Sequence, residues 1–202
     1  MARTGQPYST EIANSINTFL KEDEWRFDFD SERGRFIFNI GLSCKLKSVR
    51  YIVDVREKDY LIYVFSPLGP DKGDAATMKR TAEFLTRANY GLVFGNFEMD
   101  MHDGEIRYKT FVPCGGEAPC ADVVRRSIYV PAMMLDRYGD GLLKVLYSDI
   151  DSEKACSMCE NDLGDGADDD TEESDSTNDS TADILSRLSA HFSSDTSDTE
   201  DE

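Results

Sequence analysis

The chain has 202 residues, enough to build one core of ordinary size, and a formal net charge of −18 from 22 Lys and Arg against 40 Asp and Glu. That charge is unevenly placed: residues 1–150 hold 20 basic against 22 acidic side chains, whereas residues 151–202 hold 2 against 18. The composition of the first part is that of a near-neutral globular domain and excludes a uniformly acidic protein; the second part is too acidic to form a core.

In chain order, MARTGQPYST has no apolar leader core, and no stretch approaches the roughly 18 apolar residues of a membrane span, so we expect a cytoplasmic protein with no membrane partner. Ser9 or Thr10 can cap a first helix carrying Ile12, Ile16, Phe19 and Leu20 on one stripe. The period then changes to two. Trp25, Phe27 and Phe29 alternate with Arg26 and Asp28, and Phe36, Phe38 and Ile40 alternate with Ile37 and Asn39, which predicts two strands joined by a turn at Ser31 to Gly34. Val49, Tyr51, Val53 and Val55 form the inward side of a half-buried antiparallel strand. Tyr60 to Phe65, apolar throughout, suits a central strand ended by Pro67, Gly69 and Pro70.

Asp74 can cap a second helix with Ala75, Met78, Ala82 and Leu85 on one face and a left-handed exit at Asn89 or Gly91. Strands at Leu92 to Asp100 and Glu105 to Val112 flank His102-Asp103-Gly104, a hairpin signal because both central residues must tolerate positive φ. After the link from Pro113 to Pro119, Val124, Ile128, Leu135, Tyr138, Leu142 and Val145 follow a helical spacing that Pro131 should kink or break. A last short helix capped by Ser152 should run to Glu160. Strands grouped in this way predict an α+β fold, an antiparallel sheet with helices on one face. The expected division is one domain over residues 1–160 and an acidic Ser/Thr/Asp-rich tail over 161–202, disordered because it lacks the apolar surface to offset the entropy of ordering.

Residues 84–113, FLTRANYGLVFGNFEMDMHDGEIRYKTFVP, resemble the signature of the YbjN-domain family, with Asn89, Gly95, Phe97, Asp100, Gly104 and Arg107 at the pattern positions. DRYGDGLLKVLYSDIDSEKACSMCE, residues 136–160, is similar to that family's closing helices, so the resemblance covers about residues 9–160. It implies a curved antiparallel sheet backed by helices, like the type III secretion chaperones, often paired into dimers, in proteins described as bacterial sensory transduction regulators. The family has no established catalytic residues, so the resemblance implies none here. The tail lies outside it.

Individual residues add little catalytic signal. His102 falls in the predicted turn and His191 in the tail, and no phosphate loop, dinucleotide loop or nucleophile elbow is present. Five cysteines and no export signal predict reduced thiols. Cys156-Ser157-Met158-Cys159 is either the buried face of a short helix or half of a zinc or redox site, and a zinc site would want two more ligands, which Cys114 and Cys120 could supply only if the fold brought them close. Asp28 and Asp30 read as a solvated strand face and not an acid/base pair. Basic residues are scattered, with no Lys/Arg stripe interleaved with aromatics, which disfavours nucleic acid. Within the tail, Ile184, Leu185, Leu188 and Phe192 mark an amphipathic segment that could fold onto a partner groove, dock on its own domain or be an idle apolar patch. The expectation is a non-catalytic adaptor for a protein or peptide client, able to form a homodimer. It has no assigned catalytic, cofactor or metal residues, and its alternatives are a zinc or thiol protein using Cys156 and Cys159, or an acidic-tail interaction protein.

Overall fold

The structure, a computed structural model, describes residues 8–161; the expectations for the segment around residues 183–192 and for the rest of the tail fall outside it. Helix α1 (Thr10–Glu22) begins where the Ser9 hydroxyl accepts the Ile12 N–H at 3.2 Å, and it buries the predicted stripe of Ile12, Ile16, Phe19 and Leu20. Strands β1 (Asp28–Asp30), β2 (Arg35–Gly41), β3 (Ser48–Val55) and β4 (Asp59–Phe65) follow, then helix α2 (Ala75–Tyr90), the hairpin β5 (Asn96–Met99) and β6 (Ile106–Pro113), and helices α3 (Ala121–Tyr147) and α4 (Ser152–Asn161). The class is α+β, as the strand grouping predicts. All six strands pair antiparallel in the order β1-β2-β3-β4-β6-β5, with β4 at the centre.

One face of the sheet is backed by helices. The buried Tyr51 hydroxyl donates to the Ile128 carbonyl at 2.8 Å, and the Tyr60 hydroxyl meets Ser127 Oγ at 2.9 Å, so the inward residues of β3 and β4 are tied to α3. Helix α3 also packs on β6, α2 packs on β5, and α1 and α4 lie against α3.

Several local expectations are corrected. Of the kink or break expected at Pro131, the break is absent: helix α3 is one element through it. The turn before Pro131 is buried against the sheet and held at Ser127 and Ile128 by the two tyrosines, so packing outweighs the one backbone bond that proline removes. Trp25 and Phe27 precede β1, and Trp25 packs edge-on against Phe38 and Tyr129. Strand β5 starts at Asn96 and not Leu92, because Gly95 turns the chain at φ +82°. In the β5–β6 turn only Gly104 has positive φ; Gly104 N–H donates to the Asp100 carbonyl at 2.8 Å and Asp100 N–H to the Glu105 carbonyl at 2.9 Å, a longer loop than the Asp-Gly pair suggests.

The buried face of α2 is Thr77, Met78, Thr81, Phe84, Leu85 and Ala88, so Ala75 lies outside it. That helix ends at Gly91 with φ −94°, without a left-handed residue. Helix α4 is capped by Asp151, whose Oδ1 accepts from the Glu153 and Lys154 N–H groups, while Ser152 is buried and donates to the Arg80 carbonyl at 2.9 Å.

Candidate functional site

Alternation puts every second side chain of the sheet on the face away from α3. The register aligns Asp28, Ile37, Ile52, Tyr63, Lys109 and Asn96 in one row across all six strands. On one side of it runs Arg35, Asp54, Leu61 and Phe111; on the other, Asn39, Arg50, Phe65, Arg107 and Glu98. Ile37, Ile52, Tyr63 and Phe65 are partly exposed and Phe111 is 53% exposed, so an apolar and aromatic band reaches solvent in the middle of the face. Charged residues border the band. Arg35 pairs with Asp54, and Glu98 takes both Arg107, at 2.8 Å, and Lys109. Burial alone would raise the Glu98 carboxyl, but the two cations outweigh it and hold it below the usual carboxylate range. The Arg107 guanidinium also lies 4.8 Å over the Tyr63 ring, so the cations at the β5–β6 end of the face already have partners within the chain.

The positions carried by the sequence pattern gather at that end and hold it in shape. The Asn89 amide donates to the Phe97 carbonyl at 3.0 Å and accepts the Phe97 N–H at 2.7 Å, taking the place of a neighbouring strand on the outer edge of β5. Phe97 is buried edge-on against Tyr108 and Tyr138. Gly95 lets the backbone close on β6: a β-carbon there would lie 2.5 Å from the Tyr108 ring and 2.8 Å from the Lys109 carbonyl oxygen. Asp100 Oδ1 accepts the His102 N–H, and Gly104 fits against Pro70. These positions are architectural, apart from Arg107, which faces solvent on the band.

His102 is exposed in the β5–β6 turn. Cys156 and Cys159 form part of the buried face of α4, where Cys159 donates to the Ala155 carbonyl at 3.3 Å and Gly141 leaves the room its sulfur fills. Burial pushes the Cys156 thiol up to about 11 and raises Cys159 as well, so both stay protonated near neutral pH and are weak nucleophiles and metal ligands. Cys114 follows β6 and Cys120 stands at the N-cap position of α3, while Cys156 lies against Glu160 and Cys159 against Gly141. Among the described residues no group of three or more His, Cys, Asp or Glu is placed to hold a metal ion. None of the described helices is long and apolar enough to cross a membrane. Asp28 is exposed and Asp30 caps the β1–β2 turn by accepting the Glu32 and Arg33 N–H groups.

What sequence reasoning missed is the band itself. Its members are spread from Ile37 to Phe111 and share a surface only through the strand order; the signal present in the sequence is that Ile37, Ile52 and Tyr63 sit at the out-of-phase positions of otherwise alternating strands. A comparison with family models matches residues 13–144 to YbjN, described as "Putative bacterial sensory transduction regulator". No curated protein matches the sequence.

Proposed function

This chain belongs to the YbjN family, and from that premise we propose that it is a non-catalytic regulatory adaptor that holds a protein or peptide client on the helix-free face of its sheet. The observation that carries the reading is the band of Ile37, Ile52, Tyr63, Phe65 and Phe111, apolar surface that no helix of the described residues covers, at the centre of a sheet whose other face packs against helices. A client would bury its own apolar side chains there while the flanking charges set its orientation, in the manner of a chaperone and with no bond made or broken. Strand addition at β5 is disfavoured because Asn89 already satisfies the outward N–H and C=O of Phe97. In this reading the adaptor acts in the cytoplasm, and a second copy of the chain is itself a candidate occupant of the face.

The test is a pull-down from native extract with the full chain, a chain ending at Glu160, and a full chain carrying Ile52→Glu and Phe111→Ser, each first shown to unfold cooperatively. A client retained by the first two and lost by the third is expected. A client retained only when residues 161–202 are present would move the function to the acidic tail and contradict the proposal.

A further inference from the structure

On the same face, at the end opposite the Glu98 cluster, the β1–β2–β3 corner forms an open cavity of about 510 Å³ lined by Arg26, Phe27, Asp28, Ile37, Phe38, Asn39 and Arg50. Arg50 stands directly across from Asn39 in the β2–β3 pairing, and Arg26 precedes β1 on the other side of β2. Neighbouring strands lie roughly 4.8 Å apart, so two guanidinium groups flank one side-chain amide within reach of a single anion. Among the described residues neither guanidinium has an ion pair or side-chain hydrogen bond, in contrast to those of Arg35 and Arg107 on the same face. Asp28 lines the cavity too, and two cations against one carboxylate leave it net positive. The apolar band begins at its rim, because Ile37 pairs with Ile52 and Arg50 with Phe65.

Unpaired guanidinium groups with an amide between them, next to half-exposed aliphatic and aromatic side chains, match a carboxylate followed by apolar side chains on one strand-like ligand. We infer that Arg26, Asn39 and Arg50 form an anion-recognition pocket that selects acidic peptide segments, anchoring a Glu or Asp side chain while the neighbouring apolar residues of the peptide lie along Ile37, Ile52 and Phe65. This rests on the adaptor reading and adds to it the chemistry of the client and the end of the face that reads it. A peptide of roughly eight extended residues spans the sheet from β1 to β5.

The experiment uses the full chain and two fluorescein-labelled probes of about that length, one with Glu at its first position and Leu or Phe at every second position after it, so that all share one face, with Ser between, the other with Lys in place of Glu. Fluorescence anisotropy is expected to show saturable, salt-sensitive binding of the acidic probe alone. Arg26→Ala and Arg50→Ala should each weaken it about tenfold. Arg33→Ala with Arg56→Ala, exposed arginines outside the cavity, should leave it unchanged. Absence of binding, equal binding of both probes, or equal affinity in the Arg26→Ala and Arg50→Ala chain would overturn the inference. If that double variant still retains its client in the pull-down, the pocket assignment fails and the adaptor reading stands; if the acidic probe binds at the arginines but no client is retained by any form, the reverse holds.

Discussion

Replacing Gly104 with alanine is expected to lower stability by about 3 kcal/mol, a fall of roughly 6 to 12 °C in the thermal midpoint of a domain this size. Two effects add. Gly104 has φ +83°, where an L side chain costs about 1 kcal/mol. Its β-carbon would also stand 2.2 Å from the Pro70 carbonyl oxygen, a backbone atom that cannot swing aside, while a β-carbon on Gly69 would meet the Gly104 carbonyl oxygen at 2.1 Å. The β4–α2 connection and the β5–β6 turn therefore touch backbone to backbone, next to the bond from Ser66 N–H to the Ile106 carbonyl at 2.9 Å. Gly91→Ala is the matched control: Gly91 has negative φ and open space around its Cα, so alanine there should be neutral within about 0.5 kcal/mol. Thermal unfolding of both variants followed by circular dichroism checks the contrast, and equal losses would mean that the close approach of the two loops is not what the substitution disturbs.

Asn89→Ala should cost about 2 kcal/mol and, in addition, change how the protein associates. Each of its two bonds to Phe97 contributes about 1 kcal/mol, and their loss leaves a backbone N–H and C=O of β5 facing outward with no partner. A four-residue edge strand released in this way can pair with the edge of another molecule. Urea unfolding should show the drop in stability, sedimentation should show oligomers that grow with concentration, and hydrogen exchange at Phe97 should accelerate. Asn89→Asp keeps the acceptor for Phe97 N–H but sets a carboxylate against the Phe97 carbonyl, so it should rescue only part of the loss. A monomeric Asn89→Ala protein with unchanged exchange at Phe97 would refute the edge-capping role.

Both residues belong to the pattern at residues 84–113, and the structure explains why that pattern was readable while the proposed client surface was not. Asn89, Gly95 and Gly104 act within a short stretch of chain, and glycine or asparagine at a turn announces a local backbone demand. Strand alternation in Phe36 to Ile40 and Val49 to Val55 likewise exposed the core face directly, because burial imposes period two on the sequence. The break allowed for at Pro131 is absent for the opposite reason: the tyrosines that hold the turn before it, Tyr51 and Tyr60, lie far away in sequence, so the helix is kept in one piece by contacts invisible along the chain. Arg26 and Arg50 read as scattered basic residues for the same cause. They flank one cavity only because β1, β2 and β3 form a meander in a particular register, and a slip of one residue would have sent Asn39 and Arg50 to the opposite face. The short β1 strand was overextended because Trp25 and Phe27 keep the alternation of a strand while serving as packing residues before it begins.

The central claim is that the helix-free face holds the client. The most direct measurement is photo-crosslinking in the native cell with benzoylphenylalanine at position 52, in the apolar band, and at position 86, on the exposed side of α2. The account predicts a discrete protein adduct from position 52 that disappears with Phe111→Ser in the same chain, and none from position 86. An adduct from position 86 with none from position 52 would place the client on the helices and contradict it.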